Sequence, residues 1–310
     1  MNAKKRYLSA NEFFRNKFSD RIIKIPVDAG FTCPNRDGKI SYGGCIFCSE
    51  RGSGDFAGTR TKSITEQFYE MKEKMSKKWK SGKYMIYFQA FTNTYADTAT
   101  LRKKYEEAAS LENVCAISVA TRPDCIDDEI IALLKEINSK IYLCVELGFQ
   151  TSNEKTAEFI NRGYKNEVFL SCVKKLKENG IDVIAHIIIG LPGETQQDIL
   201  NTVSYVSQSG IDGIKLQLLH VLAGTPLADI YEKEKFHILS EKEYVDIIVK
   251  CIENLPPHIV IHRITGDGSR ALLIEPKWSL DKKRVLNDIN MTLVEKNTHQ
   301  GACYNKKNGV

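Results

Sequence analysis

The sequence has 310 residues, of which 42% are hydrophobic and 27% charged, and its formal net charge is +5. These values are ordinary for a folded soluble protein and exclude an intrinsically disordered chain and a membrane-embedded one. The length suffices for a large core, and no apolar run reaches the roughly 20 residues that span a bilayer. The N-terminus lacks the apolar stretch of a secretory signal, so we expect a cytoplasmic protein.

Short apolar segments alternate with helical patterns along the chain. The first, residues 21–28, is predicted to be a strand, and it is followed by a cysteine-containing loop and a helix over 63–82. Five more strands are predicted, at 83–91, 114–121, 140–149, 181–190 and 211–222. Nearly continuous apolar strands separated by helices indicate a parallel sheet covered on its faces. The expected fold class is therefore α/β, either a barrel or a doubly wound sheet.

The two ends of the chain do not follow this alternation. Residues 1–20 are interpreted as an N-terminal extension of a main unit over 21–225. Residues 226–310 are predicted to contain a helix, a short strand at 258–265 and a polar tail. We interpret this last part as a C-terminal accessory segment.

Polar and glycine-rich motifs follow the predicted strands. The stretches QAFTNTYAD, TRPDC, ELGFQTSN and GLPGET come after successive strands, and QLLH lies near the end of the sixth. Parallel α/β folds of both kinds bind ligands at the carboxyl ends of their strands. We therefore expect these motifs to line one cavity.

Three cysteines lie in the loop after the first strand, in TCPNRDGKISYGGCIFC, residues 32–48. Cys45 and Cys48 have the spacing of a zinc half-site, but Cys33 brings the set to three ligands and structural zinc needs four. Cys303 is the one loose candidate for the fourth. A [4Fe-4S] cluster is held by cysteine thiolates and can leave one iron open to a small molecule. The spacing favours the cluster, with zinc and ordinary thiols as alternatives.

The motifs CPNRDG…GGCIFC, TRPD, VELGFQT, NRGY and HRITGDG together resemble the radical S-adenosylmethionine (SAM) superfamily. The eleven residues between Cys33 and Cys45 exceed the usual three, a departure shared with the branch related to the catalytic subunit of Elongator and its small bacterial relatives. The resemblance covers nearly the whole chain. It implies a partial (β/α)6 TIM-like barrel with a C-terminal accessory segment, one [4Fe-4S] cluster, and SAM as the molecule on the open iron.

The resemblance also implies roles for individual residues. Cys33, Cys45 and Cys48 would hold the cluster, Phe47 would pack near adenine, and Arg162 would pair with the SAM carboxylate. FTNTY stands where the superfamily often has a Gly-Gly-Glu motif, so its polar residues become candidates. The remaining SAM contacts implied are Thr92, Asn93, Thr94, Arg122, Asp124, Glu146, Gln150, Gly190, Pro192 and Gly193.

Several of these residues have simpler interpretations. Asp124 could cap the following helix. Glu146 is harder to explain away, because a charged carboxylate in a buried strand needs a ligand or a cation beside it. His186 and His220 are predicted to be core residues, although His220 and Gln217 could contact substrate. Arg263 and Asp267 could likewise touch substrate, or form an ion pair within a glycine-rich turn.

The resemblance implies that a 5′-deoxyadenosyl radical takes a hydrogen atom from a substrate carbon. Because Elongator-like relatives act on the wobble uridine of tRNA, tRNA is the expected partner, together with an electron donor such as flavodoxin or ferredoxin. The specific hypothesis is conversion of 5-carboxymethylaminomethyluridine to 5-aminomethyluridine. Two alternatives are a radical SAM enzyme for a small metabolite or peptide, and a non-catalytic zinc protein that binds nucleic acid.

Overall fold

The computed structural model describes residues 5–77 and 79–304. Parts of the predicted N-terminal extension, of the helix at 63–82 and of the polar tail lie outside the described residues. The strands are Ile22–Val27 (β1), Lys83–Phe88 (β2), Val114–Thr121 (β3), Tyr142–Gln150 (β4), Asp182–Ile189 (β5), Gly213–Leu218 (β6), Val221–Leu222 (β7), Val260–Arg263 (β8) and Leu273–Glu275 (β9). The helices are Ala10–Phe18 (α1), Ile64–Ser76 (α2), Thr98–Ala109 (α3), Asp128–Lys140 (α4), Glu154–Phe159 (α5), Asn166–Glu178 (α6), Gln196–Gln208 (α7), Pro226–Lys233 (α8), Glu241–Asn254 (α9) and Lys282–Glu295 (α10).

Seven parallel strands form one sheet in the order β1-β2-β3-β4-β5-β6-β8. Side chains on distant strands meet across the inner face of this sheet, which shows that the sheet is strongly curled. Lys24 of β1 contacts Glu146 of β4 at 2.5 Å, and Lys215 of β6 donates to the Tyr87 hydroxyl of β2 at 3.2 Å. The predicted α/β class and partial TIM-like barrel are confirmed.

Helices cover the outer face of this sheet and are fixed at their starts by short polar side chains. Ser63, Thr195 and Ser240 each accept a hydrogen bond from the third residue of the following helix, in a reciprocal capping box. Behind each cap, apolar helix residues such as Phe68 and Phe169 pack against the sheet in one hydrophobic core. Local capping and burial of the outer face together set the positions of the strand ends.

Helix α2 is shorter than its sequence pattern predicted. It ends at Ser76 rather than near Gly82, because the apolar helical spacing stops there. Gly82 does not terminate the helix; its φ is +143°, and an added Cβ would lie 2.9 Å from the Arg21 carbonyl oxygen. Glycine is needed at this position for the close approach to β1.

The predicted strand at 211–222 is also divided. β6 ends at Leu218, close to the point where its neighbour β5 stops, so the chain has no parallel partner beyond it. Val221 and Leu222 then pair antiparallel with β9 in a separate two-stranded sheet. This break turns the residues at 219 and 220 toward the carboxyl end of the barrel.

The C-terminal segment contributes a strand to the main sheet. β8, which lies within the predicted accessory segment, pairs parallel with β6 as the seventh strand. A division at residue 226 therefore cuts through the sheet. The position of a domain boundary stays a prediction.

The two ends of the chain meet beside β8. The Leu8 amide donates to the Gln300 side chain at 2.8 Å, and Gln300 also donates to the carbonyl oxygens of Pro256 and Ile259. Helix α1 follows and buries Phe14 against residues near the amino ends of the strands. Among the described helices, none combines the length and apolar character needed to cross a membrane.

Candidate active site

One cavity of about 250 Å³ opens at the carboxyl ends of the strands. It is lined by the cysteine loop, by residues of β2 to β6 and by the segment after β8. Twelve of the site residues predicted from sequence line it: Cys33, Cys45, Phe47, Cys48, Thr92, Arg122, Glu146, Gln150, Gln217, His220, Arg263 and Asp267. The cysteine loop and the motifs after β2, β3, β4 and β6 therefore share one cavity, whereas GLPGET after β5 contributes no lining residue.

The cysteine loop, residues 28–63, is shaped by short backbone turns at the cysteines. The Cys33 carbonyl oxygen accepts from the amide of Arg36 at 2.8 Å, and the Cys45 carbonyl oxygen accepts from the Cys48 amide at 3.0 Å. The Arg36 side chain then donates to the carbonyl oxygens of Cys48 and Ser49, at 2.9 and 2.6 Å. These contacts hold a long loop in one compact arrangement.

Two side-chain amides, the buried Asn35 and the half-buried Asn161, join this loop to the segment after α5. Asn35 donates to the Asn161 carbonyl oxygen at 2.6 Å and lies 3.6 Å from the Cys45 sulfur, and Asn161 donates to the Gly44 carbonyl oxygen at 2.8 Å. Gly163 leaves room for this pair, since a Cβ there would lie 2.9 Å from Asn35 Oδ1. The NRGY motif thus holds the cysteine loop in place.

The three sulfurs influence one another electrostatically. Burial and the neighbouring Cys48 and Cys33 raise the pKa of the Cys45 thiol to about 12, while Arg122 opposes the increase. Burial also raises the pKa of Cys48, against the effect of Arg36. A bound metal cation would stabilise these cysteines as thiolates, because its positive charge offsets the burial and mutual repulsion that raise their pKa values.

The cysteines therefore suit an iron–sulfur cluster. All three line the same cavity, and a [4Fe-4S] cluster with three protein ligands keeps one iron open to that cavity. Within residues 5–77 and 79–304, no three His, Cys, Asp or Glu side chains form a group that could hold a single metal ion. The individual ligand assignments stay predictions.

Arg122 is fixed by the residues around it. Its guanidinium donates to both carboxylate oxygens of Asp124, at 2.9 and 2.7 Å, and to the Arg162 carbonyl oxygen at 2.8 Å. Asp124 does not cap the following helix, because Asp127 occupies that position. The pair presents a fixed cation to the cavity, with Asp124 behind it rather than among the lining residues.

Arg162 lies behind the cavity wall. Five hydrogen bonds use its guanidinium, with the carbonyl oxygens of Phe149, Thr151 and Tyr164 and with Asn166 as acceptors. A guanidinium has five N–H donors, so none is left for a SAM carboxylate. The predicted contact is untested, but Arg122 is the better placed of the two arginines.

The remaining predicted SAM contacts are divided between lining and supporting positions. Thr92 lines the cavity, whereas Asn93 donates to three backbone carbonyl oxygens and Thr94 donates to the Cys125 carbonyl oxygen at 2.7 Å. Gly190, Pro192 and Gly193 form the turn after β5 and are not among the lining residues. Their contacts to SAM stay predictions.

Glu146 occupies the centre of a charged network. Each of its oxygens receives two donors: Lys24 and Ser118, each at 2.5 Å, on Oε1, and His186 at 2.6 Å and Lys215 on Oε2. Burial alone would raise the pKa of this carboxyl, but Lys215, Lys24 and His186 hold it well below its usual range. Glu146 therefore has the cation contact expected from its burial, and two lysines, Lys24 and Lys215, provide it.

The two histidines in this region differ in their contacts. His186 is satisfied by Glu146, and burial together with Lys215 lowers its pKa to about 4, so it is neutral at pH 7. His220 is also neutral, since burial lowers its pKa to about 4, but its buried Nε2 has no hydrogen-bond partner among the described residues. Only His186 fits the prediction of a satisfied core residue.

The HRITGDG motif borders the cavity on the same side as His220. Arg263 and Asp267 form the expected ion pair, at 3.4 Å, while also lining the cavity. An added Cβ at Gly266 would lie 2.4 Å from the His220 ring, and one at Gly268 would lie 3.2 Å from it. The two glycines therefore provide the space for this histidine.

Sequence reasoning missed several residues that the structure brings to the site. Lys215 and Tyr87 line the cavity beside Glu146, and Asn35 and Asn161 hold the cysteine loop. A signal for Lys215 was available, because a lysine within the apolar strand IKLQL needs a buried anion as much as Glu146 needs a cation. Nothing in the local sequence indicated the pairing of Asn35 with Asn161.

The chain is similar to several known proteins and to two family profiles. A profile of the radical SAM superfamily matches residues 33–206, and a profile of the Radical_SAM C-terminal domain matches residues 211–295. YtqA of Bacillus subtilis (strain 168) is 46% identical over 305 residues, covering 98% of this chain and 95% of the relative. The tRNA-2-methylthio-N(6)-dimethylallyladenosine synthase of Clostridium perfringens (strain SM101 / Type A) is 27% identical over 217 residues, covering 64% of this chain and 47% of that protein.

Among solved structures, the archaeal Elp3 of Methanocaldococcus infernus, with residues 1–46 deleted, has a TM-score of 0.67. The two chains are 15% identical, and the match covers 93% of this chain and 68% of that one, so the likeness concerns the fold alone. The family profiles, in contrast, cover most of the chain and include the cysteine loop. Because the enzymes of this family use a [4Fe-4S] cluster and SAM, the cluster interpretation of the three cysteines is preferred to the zinc one. The chain belongs to the radical SAM superfamily, whose enzymes use a [4Fe-4S] cluster and SAM.

Proposed function

We propose that this radical SAM enzyme modifies the wobble uridine of tRNA by removing the carboxymethyl group from 5-carboxymethylaminomethyluridine. The observation that carries the proposal is the cavity, which joins the cysteine loop to a deep, positively charged inner end built around Lys215 and Arg263. The resemblance to the Elongator branch and the tRNA-modifying synthase among the relatives support tRNA as the substrate.

Cys33, Cys45 and Cys48 would hold the cluster, and two arginines, Arg36 and Arg122, line the cavity beside them. When bound, the cluster and SAM supply a 5′-deoxyadenosyl radical that can take a hydrogen atom from an unactivated carbon. The residues of the chain orient the two reactants and exclude water from the space between them. An electron donor of the flavodoxin or ferredoxin class would supply the first electron.

The proposed reaction is an oxidation of the CH2 carbon that lies between the amine nitrogen and the carboxylate. This carbon would lose one hydrogen atom to the SAM-derived radical, one electron to the cluster and one proton to solvent, which would leave an imine. Water adds to the resulting imine and breaks the carbon–nitrogen bond. The products are 5-aminomethyluridine, glyoxylate, methionine and 5′-deoxyadenosine, with no net consumption of external electrons.

The test begins with protein purified anaerobically and reconstituted with iron and sulfide. We expect roughly four irons per chain, 5′-deoxyadenosine formation that requires a strong reductant, and loss of both in Cys45→Ala. Nucleoside mass spectrometry of tRNA from a deletion strain then tests the substrate. Accumulation of 5-carboxymethylaminomethyluridine supports the proposal, and an unchanged wobble profile rules it out.

A second candidate is a radical SAM enzyme for a small metabolite or peptide. It is supported by the polar side chains that line the cavity, such as Gln217, Arg263 and Asp267, because they would suit a small polar molecule as well as the side chain of a nucleotide. Failure of the reconstituted protein to bind tRNA at moderate salt, with SAM cleavage intact, would favour this candidate over the first.

A further inference from the structure

The inner end of the cavity carries positive charge that the contacts within the protein do not use fully. It is built by Lys215 on β6 and by Arg263 at the end of β8, which are neighbouring strands at the edge of the sheet farthest from β1. The cysteine loop follows β1, so these two cations are supplied by a different part of the fold from the three cysteines. They therefore call for a separate explanation.

Lys215 shares its anion with other donors. Glu146 already accepts from Lys24, Ser118 and His186, and a carboxylate offers about four acceptor positions. Lys215 fills the last of them and donates a second N–H to Tyr87 at 3.2 Å. An ammonium group has three N–H donors, so one has no hydrogen-bond acceptor among the described residues, although the ammonium also lies 4.5 Å from the centroid of the Tyr87 ring.

Arg263 is less satisfied still. Its ion-pair partner among the described residues is Asp267, at 3.4 Å, and Asp267 is bound more closely by Lys282, at 2.6 Å. Apart from this ion pair, the Arg263 guanidinium has no hydrogen-bond partner among the described residues. A planar guanidinium in this state is suited to binding a carboxylate through two parallel hydrogen bonds.

The charge balance points the same way. Glu146 is shared by Lys24 and Lys215, and Asp267 is shared by Arg263 and Lys282, but only Lys215 and Arg263 of these four cations line the cavity. Burial, Lys24 and Arg263 all lower the pKa of Lys215, and only Glu146 opposes them. A second anion at this position would offset that repulsion.

The adjacent histidine shows the same incompleteness. His220 lines the cavity, and its buried Nε2 has no hydrogen-bond partner among the described residues. Buried polar atoms without partners are uncommon in folded proteins and often mark a site that another molecule completes. Gly266 and Gly268 leave the space that this ring occupies, because an added Cβ at either position would lie 2.4 or 3.2 Å from it.

We propose that Lys215 and Arg263 bind a carboxylate of the substrate at the inner end of the cavity and thereby select the substrate side chain. This inference rests on the proposed function, under which the carboxylate is that of the carboxymethyl group. The product lacks this carboxylate, so the same two residues that bind the substrate do not retain the aminomethyl product.

The first arm of the test uses anticodon stem-loop RNAs that carry either the carboxymethylaminomethyl side chain or the corresponding uncharged amide. The anaerobic, reconstituted holoenzyme is assayed for RNA dissociation constants by anisotropy and for 5′-deoxyadenosine. We expect the wild type to prefer the carboxylate RNA by about 10- to 100-fold, since hydrogen bonds to charged groups contribute about 1.5–3 kcal/mol. Lys215→Met and Arg263→Gln should each reduce the preference to about threefold or less.

Lys24→Met is the matched control. Lys24 binds the same carboxylate as Lys215 but is not among the residues that line the cavity. It should lower stability and keep the carboxylate preference. Iron content and circular dichroism confirm that each variant compared is folded, and Arg263→Gln replaces Lys215→Met if the latter does not fold.

The second arm does not involve RNA. The SAM-loaded holoenzyme is titrated with N-acetylglycine and with N-acetylglycinamide, and the midpoint of thermal unfolding is recorded. A stabilisation by the carboxylate alone, lost in Lys215→Met, supports the site even if no wobble uridine is modified. Equal responses to carboxylate and amide in both arms overturn the inference even if tRNA is modified, as does an equal loss of preference in Lys24→Met.

Discussion

The two faces of the main sheet are chemically opposite. On β4, Val145 and Leu147 point outward into the core beneath the helices, while Glu146 between them points inward, and all three have 0% exposure. On β6, Leu216 faces the helices and Lys215 faces the cavity. Successive residues of a strand alternate between faces, so one strand builds both.

This difference separates what holds the fold together from what performs chemistry. The outer face is stabilised by burial of apolar surface, which needs no particular partner. The inner face removes charges from water, and their mutual attraction offsets that cost only when every partner is present. The inner face should therefore be more sensitive to the loss of one group, and each prediction below tests that contrast.

The largest effect is expected for Glu146→Ala. It leaves the buried Lys215 and the half-buried Lys24 without their shared anion, and breaking a buried ion pair by removing one partner costs about 3–5 kcal/mol. Urea unfolding of anaerobic protein measures this cost. The double variant Glu146→Leu with Lys215→Met should recover part of the lost stability, and a single variant as stable as the wild type would show that the network is not closed.

On the outer face, Leu147→Ala is expected to cost about 3 kcal/mol through the lost apolar contacts and the cavity left behind. We expect this variant to lower the free energy of unfolding without changing the properties of the cavity. Iron content per folded chain and the carboxylate preference should match the wild type, because Leu147 touches the helices and not the cavity. A change in either property, measured below the unfolding transition, would show that the two faces are coupled.

A smaller effect on stability, with a larger effect on the cluster, is expected for Asn161→Gly. Glycine keeps the positive φ of 54° at this position and removes the hydrogen bond to the Gly44 carbonyl oxygen, at a cost of about 1 kcal/mol. The cysteine loop should then lose iron to a chelator faster than in the wild type. The exposed Asn179, changed to Gly, serves as the control, and equal rates of iron loss in the two variants would contradict the role given to Asn161.

The smallest effect is expected for Glu194→Gln, at the turn after β5. Burial raises the pKa of the Glu194 carboxyl to about 7, and hydrogen bonds from Thr151 and Thr156 only partly oppose the increase. No lysine or arginine pairs with this carboxyl among the described residues. A raised pKa means that the folded state retains a proton the unfolded chain loses, so stability falls as pH rises from about 4.5 to about 7.

The glutamine variant carries no such proton, and its stability relative to the wild type should rise over the same pH window by an amount on the order of 1 kcal/mol. Thermal unfolding at pH 4.5, 6 and 8 measures the difference. A difference that is constant with pH would show that Glu194 is ionised in the folded protein, as Glu146 is.

The outer face explains why most of the fold was predictable. β3 has the bounds that its apolar run predicted, because those residues are buried by local pattern alone. The resemblance supplied the barrel, and Glu146 was singled out because a buried charge is visible in a single strand. The partners of the inner face were not predictable in this way, because Lys215 and Glu146 lie on strands two places apart in the sheet and 69 residues apart in the chain.

The junction of Leu8, Gln300 and the residues before β8 also has a consequence for the order of events on the ribosome. Most of the chain must be synthesised before the N-terminal segment has its final partner, which at roughly 5–20 residues per second takes tens of seconds. During that interval α1 can pack on β2 and β3 through Phe14 but lacks its contacts with β8. Lys215 likewise reaches Glu146 only after β6 has been synthesised, so we expect the charged network of the inner face to close late in translation.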